Sequence, residues 1–483
     1  MSENKLLVQR IGLISLMNLL TNLGGIVLLP ILTKNIPVEE YGIWAQVNVT
    51  VGLISVLILL GLPHSMIRFM AATKEREDIQ ESFYSVLLLV ALVGALISLL
   101  LFHLSEPLAV YLFDNNLAVT KILPVIVFVE SLNAVLFNFF RASQRIKLYS
   151  LFVFISMYLS IALAYYFVTA GWGILGAVIG LLLSKVVIFV IMFFLILAEI
   201  GHRVPNFGKI PEYLAFSLPL IPSGLSDWVI NSSDRYIIGI FLGTAYVGYY
   251  SPGYLLGNII MMFITPAACI LPVVLSKHYD ENKMEMVETI LSRSLRYFLA
   301  LALPSVFGLS LLSWPILSVL STTEIADQGY MITPFVAVGM LFFGVASILA
   351  NIIGLVKKTK FSAFIWIMAA ALNVGLTVFL VPRLNILGAA LATLLAFLFV
   401  LASTAYYALG LFSVSFDYRF ILKCLFASLV MSLMIVFLSP KGLLEILGAI
   451  AVCAGIYFLV LWLLKGVDCD EVAFIKNMFG RGS

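Results

Sequence analysis

Long apolar runs alternate with short polar gaps from Ile11 to Leu464. Within each run the apolar residues are continuous rather than alternating, which predicts helices and not strands. About 20 mostly apolar residues carry a helix across a bilayer. On that measure the pattern predicts about fourteen transmembrane helices, near 11–32, 42–62, 83–104, 118–140, 150–170, 174–197, 213–242, 246–274, 293–313, 329–354, 361–381, 387–409, 419–438 and 443–464. The seventh and eighth are long. Pro219, Pro222, Pro252, Pro266 and Pro272 interrupt their hydrogen-bond ladders, so both are expected to bend. The first run is too long for a signal-peptide core and lacks a small-residue cleavage pattern, so it reads as a retained span.

Composition agrees with the pattern. The chain has 483 residues, of which 62% are apolar and 11% charged, against roughly 25% charged in soluble domains. A mean hydropathy of +1.12 leaves little room for a separate soluble domain. The net charge of +3 gives no reason to expect a nucleic-acid partner. The placement of the basic residues is more informative. With the N-terminus in the cytoplasm, 22 of the 28 Lys and Arg fall on the inside and 4 on the outside. Lys185 and Arg235 fall within spans. That bias predicts a multi-pass protein of the cytoplasmic membrane with both termini inside. The four cysteines form no CxxC pair, so neither a disulfide framework nor a metal site is expected. No Gly-rich phosphate loop is present, which argues against ATP drive within the chain.

The chain also repeats itself. Gly173-Ile-Leu-Gly-Ala177 recurs as Asn385-Ile-Leu-Gly-Ala389, and the same offset relates Gly176 and Gly180 to Gly388 and Ala392. Arg145, Ser150 and Phe152 map onto Lys357, Ser362 and Phe364. Tyr41-Gly42-Ile43-Trp44 answers Val247-Gly248-Tyr249-Tyr250, and the charged loop 68–82 answers 277–291. The expected architecture is an all-α membrane protein with two six-helix lobes, 1–212 and 213–412, and an addition, 413–483, carrying the last two helices and a tail. Six is even, so the copies share one orientation, and the expected site lies between them near the bilayer midplane.

Several stretches resemble a known group. They are Leu29-Pro30-Ile31-Leu32 leading to Pro37-Val38-Glu39-Glu40-Tyr41-Gly42, then Gly61-Leu62-Pro63 with Ile67-Arg68-Phe69. More specific are Ser217-Leu-Pro219-Leu-Ile-Pro222, Ser233-Asp234-Arg235-Tyr-Ile-Ile238 and Val247-Gly248-Tyr249-Tyr250-Ser251. The chain resembles the polysaccharide-exporter branch, the Wzx-type flippases, of the multidrug/oligosaccharidyl-lipid/polysaccharide flippase superfamily. The resemblance implies a transporter, not an enzyme. It implies movement of a polyprenyl-diphosphate-linked oligosaccharide to the outer leaflet by alternating access, for surface polysaccharide assembly. Membrane lipids and other polysaccharide-assembly proteins are the expected partners. No cofactor is implied. Coupling to H+, Na+ or the membrane potential stays open.

A sugar and diphosphate cannot cross ~30 Å of hydrocarbon bare. A cavity for them needs hydrogen bonds and positive charge. Glu130, Lys185, Asp227, Asp234 and Arg235 all fall inside spans, where each costs at least ~2.5 kcal/mol, so each is a functional candidate. Asp234 and Arg235 are adjacent, about 100° apart around a helix, so each is expected to have its own partner. Lys185 either faces the cavity or pairs with Glu130. Arg68 either meets diphosphate at the cytoplasmic end or snorkels. Asn18 and Asn22 share one face of the first span with Thr21, and Asn258 is a further polar candidate; sugar contact and interhelical hydrogen bonding are equally open for them. Asp234 with Asn373, Thr377 and Thr393 echoes a sodium site of some lipid II flippases, though a second acid is missing.

The alternatives are close. A cation-coupled multidrug exporter usually has twelve spans and an acidic cavity. A lipid II flippase usually carries more arginine in spans 1, 2 and 8. A membrane polymerase or ligase needs a sizeable outer loop with catalytic residues, whereas segments 105–117 and 314–328 are short and contain no His, Arg or Lys.

Overall fold

In the computed structural model, residues 17, 20, 21, 23–70 and 75–466 are described, and among them the regular structure is helical throughout. The helices are α1 (Leu23–Thr33), α2 (Val38–Leu59), α3 (Leu62–Met70), α4 (Arg76–His103), α5 (Ser105–Leu112), α6 (Leu117–Ala142), α7 (Ile146–Phe167) and α8 (Gly173–Ile200). There follow α9 (Ile210–Ser217), α10 (Ile221–Leu242), α11 (Thr244–Gly257), α12 (Met261–Asp280), α13 (Met284–Leu320) and α14 (Thr323–Gly329). The last are α15 (Ile332–Leu355), α16 (Thr359–Leu384), α17 (Ile386–Leu411), α18 (Tyr418–Leu438) and α19 (Leu443–Leu463).

Among the described residues, 11 helices are long and apolar enough to cross a membrane. Three features connect that number with the expected spans. The 55-residue stretch Ile146–Ile200 is one of the 11, but it is a hairpin. A Cβ on Gly176 would meet the Phe167 backbone, and one on Gly180 would meet the Ala164 nitrogen, so α8 runs back along α7. α1 is the described part of the first span. α10 carries Asp227, Asp234 and Arg235, which lower its hydropathy.

The bends differ in part from expectation. The seventh span is interrupted by a 3-10 turn at Leu218–Leu220, around Pro219. In the eighth, the turn falls at Asn258–Ile260, while Pro252 stays inside α11 and Pro266 and Pro272 inside α12. Proline is tolerated within membrane helices because neighbouring groups satisfy the freed carbonyls. The ninth span is longer than its apolar run. Its first turns bury Val287, Leu291 and Leu295 at a four-residue spacing beyond the reach of a hydropathy signal.

The repeat is visible in the backbone. Gly173 (φ 55°) and Asn385 (φ 53°) both have positive φ, immediately before Ile-Leu-Gly-Ala. Glycine adopts that conformation freely and asparagine tolerates it. A Cβ on Gly388 would meet the Leu380 carbonyl, as one on Gly176 would meet the Phe167 backbone. Each copy therefore builds a close helical hairpin from the same four residues.

The chain forms two compact units. One comprises Met1–Pro252 with Ala363–Ala396, the other Gly253–Ser362 with Phe397–Ser483. The first unit contains a reciprocal crossing of α2 and α11. A Cβ on Gly42 would meet the Thr244 carbonyl oxygen, and one on Gly248 would meet the Val38 carbonyl oxygen. The repeat that relates Gly42 to Gly248 also relates Val38 to Thr244. The two helices thus cross about a local two-fold axis, and only glycine fits at either contact.

Candidate functional site

α10 is the polar helix of the first unit, and its side chains form a ladder. The Asn231 amide donates to the Asp227 carbonyl (2.9 Å) and to Asp227 Oδ1 (3.1 Å). Two turns on, Arg235 Nη1 donates to the Asn231 carbonyl (2.6 Å) and to Asp234 Oδ1 (2.7 Å). Asp234 Oδ1 also accepts from the Arg235 backbone N–H (2.9 Å), and Asp234 Oδ2 accepts from the Tyr250 hydroxyl (2.5 Å). The Arg235 guanidinium lies 5.2 Å from the centre of the Tyr250 ring. Asp234 is 0% exposed and Arg235 8%.

Asp234 and Arg235 therefore pair with each other, contrary to the expectation of separate partners. Helical side chains lean toward the N-terminus. The long arginine reaches back over its own preceding turn, which spacing around the helix alone does not reveal. Burial is tolerable because both charges are neutralised and hydrogen-bonded.

α2 packs on this ladder with its own polar residues. Gln46 Nε2 donates to the Arg235 carbonyl (3.5 Å), Tyr236 donates to Thr50 (2.6 Å), and Trp228 Nε1 donates to the Val49 carbonyl (3.3 Å). On the other side, the Ser233 hydroxyl donates to Asn373 Oδ1 (3.5 Å), and Asn373 Nδ2 donates to Thr393 (3.3 Å). Thr377 donates to the Asn373 carbonyl (2.7 Å). Asn373, Thr377 and Thr393 are fully buried. The structure thus brings these three together and joins them to α10 through Ser233, while both oxygens of neighbouring Asp234 hold Arg235 and Tyr250.

Asp227 differs from Asp234. It is exposed, among the described residues it forms no ion pair, and at Gly224, one turn earlier, a Cβ would meet open space. An ionised carboxylate on an open face of a membrane helix requires water beside it. Lys185 and Glu130 resolve to a direct pair, Nζ to Oε2 2.8 Å, linking α8 to α6, and Asn133 Nδ2 donates to the Lys185 carbonyl (2.9 Å). Arg68 is exposed, with its guanidinium 4.4 Å from the Phe216 ring centre. Asn258 is half-buried in the 3-10 turn before α12. Asn18 and Asn22 lie outside the described residues.

Sequence reasoning missed the partners rather than the charges. Gln46 and Thr50 were legible as polar positions four apart on α2, and Tyr250 sits in a motif already singled out. A second omission is the belt between the start of α4 and the segment after α8. Lys209 pairs with Asp78 (2.7 Å) and Arg203 with Glu77 (3.1 Å), while Arg145, just before α7, pairs separately with Glu199 in the last turn of α8 (2.5 Å). The Asp78 hydrogen bond holds the Lys209 ammonium above its ordinary pKa.

With this geometry in place, residues 31–327 match the family described as polysaccharide biosynthesis protein. The chain belongs to that family. The polysaccharide biosynthesis match takes in α2 through α13, and so includes the α10 ladder, Tyr250, Gln46 and the Glu130–Lys185 pair. Asn373, Thr377 and Thr393 lie beyond it. Over 254 residues the chain is 26% identical to the "Probable low-salt glycan biosynthesis flippase Agl15" of Haloferax volcanii, covering 53% of each protein. It spans about half the length of that curated relative. The fold is similar to that of the lipid II flippase MurJ in an inward closed conformation, with TM-score 0.72, 17% identity, and coverage of 92% of this chain and 97% of that one. It is also similar to an inward-facing multidrug MATE transporter of the MOP superfamily, with TM-score 0.68, 16% identity, and coverage of 82% and 95%. At these identities the structural likeness establishes the fold.

Proposed function

We propose that this polysaccharide biosynthesis protein is a flippase. It moves a polyprenyl-diphosphate-linked oligosaccharide from the cytoplasmic to the outer leaflet of the cytoplasmic membrane. The observation that carries this reading is the aligned relative named for glycan biosynthesis flipping. The intramembrane polar ladder supports it, since a sugar chain needs hydrogen-bonding groups within the hydrocarbon.

In this reading the lobes 1–212 and 213–412 alternate in access, with 413–483 flanking them and both termini cytoplasmic. The α2–α11 glycine crossing then lies at the outer ends of the helices. It closes the outer side and separates during transport. Lys185 and Arg235 act through their ion pairs, as positioning groups. Arg68 receives diphosphate at the inner side. Asn18, Asn22 and Asn258 offer hydrogen bonds to sugar. Asp234 with Asn373, Thr377 and Thr393 is the candidate cation site, and Ser233 joins them to α10. An inside-negative potential favours outward movement of an anion by about 2.3 kcal/mol per charge per 100 mV, so the drive is the potential or its coupling to H+ or Na+. Other polysaccharide-assembly proteins supply and consume the substrate.

One observation favours a second reading, a cation-coupled multidrug exporter. Asp227 is an exposed intramembrane acid with no ion pair among the described residues. Cells lacking the gene separate the two. Accumulation of polyprenyl-diphosphate glycan on the cytoplasmic face, cured by the wild-type gene, supports the flippase. Unchanged glycan with raised sensitivity to cationic drugs supports the exporter.

A further inference from the structure

The second unit carries a basic cavity whose lining includes none of the residues assigned to transport above. It holds about 210 Å³ and lies between the first turns of α13, the segment after α17 and the start of α18. Its polar lining is Ser292, Arg293, Arg296, Ser415 and Asp417, with Phe420 as one wall. Four of these are already engaged. The hydroxyls of Ser292 and Ser415 are 3.2 Å apart. Arg296 donates to the Gly466 carbonyl (2.8 Å) and stacks 4.5 Å from the Phe420 ring centre. Asp417 caps α18, accepting from the Phe420 N–H at 2.9 Å. Arg293 is the exception. It is exposed, lines the cavity, and among the described residues has no ion pair or hydrogen bond.

Charge and size define an occupant. Two guanidiniums face one carboxylate, leaving a single net positive charge. The volume of about 210 Å³ is well above what a single water needs. That accommodates a phosphodiester. The cavity opens beside apolar surface. Tyr418, Leu422 and Phe426 recur four residues apart on α18, all exposed, and Leu295, Leu299 and Ile421 form the apolar part of the lining.

We infer that this cavity binds the phosphodiester headgroup of an anionic phospholipid, with Arg293 as its principal contact and the acyl chains along the exposed face of α18. Basic pockets between membrane helices at the cytoplasmic boundary take lipid headgroups in this way. The bound lipid bridges α13 to α18 and so fastens the last two helices. The inference stands apart from the transported substrate.

The test uses the purified full chain in detergent. Thermal unfolding and retained lipid by native mass spectrometry are compared with phosphatidylglycerol, phosphatidylcholine and inorganic phosphate. Phosphatidylglycerol is expected to raise Tm and remain bound, and phosphatidylcholine is not. Arg293→Gln should remove that difference, and so should Ser415→Leu, which fills the cavity while keeping every charge. Arg383→Gln, at an arginine of the first unit that does not line the cavity, should leave it intact. Equal effects of the two lipids on the wild type, or full phosphatidylglycerol retention in both cavity variants, would overturn the inference. A full shift from inorganic phosphate alone would overturn the lipid as occupant.

Discussion

Asp234 has no exposed surface; its charge is balanced by Arg235, and its second oxygen accepts a hydrogen bond from the Tyr250 hydroxyl. Removing one partner of a buried pair costs about 3–5 kcal/mol, because the other charge is left uncompensated. Arg235→Ala should therefore lower Tm sharply, whereas the double variant Asp234→Asn, Arg235→Met should recover most of the loss. Thermal unfolding of the two singles and the double checks this, and additive losses would contradict it. Tyr250→Phe removes one hydrogen bond to a charged group, about 1.5–3 kcal/mol. It should fall between wild type and Arg235→Ala. The charges themselves were legible in the sequence, since five ionisable residues interrupt apolar runs. Their pairing was not. Whether Arg235 turns back onto Asp234 depends on side-chain reach and on a tyrosine that chain reversal brings close from 16 positions away. Lys185 with Glu130 was legible as one of two alternatives, and the structure selects the pair.

At the scale of elements, the crossing of α2 and α11 depends on two glycines that each touch a backbone carbonyl of the other helix. Valine at either position forces the helices apart. In a chain whose four native cysteines are replaced by serine, a cysteine at Gln46 is buried in the crossed form. Gly42→Val or Gly248→Val should raise its labelling by a membrane-impermeant thiol reagent added outside. Unchanged labelling would mean that the crossing does not close the outer side. Helix positions were largely legible, because an apolar run long enough to cross a membrane has few alternatives. The paired hairpins were legible too, through Ile-Leu-Gly-Ala and its flanking matches. The break at Asn258–Ile260 was not, since prolines mark lost hydrogen bonds without saying which losses their surroundings repair. The amphipathic start of α13 was hidden for a simpler reason: hydropathy reports the part of a helix in lipid and not its extension into water.

For the whole molecule, the family match and the glycan-flippase relative support the proposed movement of glycan across a bilayer. Between glycan and drug, Asp227 is the residue to change. Asp227→Asn removes the one feature favouring a cationic substrate, so a flippase should keep its glycan transport and an exporter should lose its drug transport. The most direct measurement of the central claim uses purified protein in sealed vesicles containing a fluorescent polyprenyl-diphosphate oligosaccharide. The fraction reachable by a quencher confined to one side is followed over time. Glycan is expected to cross only in vesicles carrying the wild-type protein, and Arg235→Ala is expected to abolish the crossing. Glycan that stays in its original leaflet, in vesicles where a cationic dye is transported, would contradict the claim.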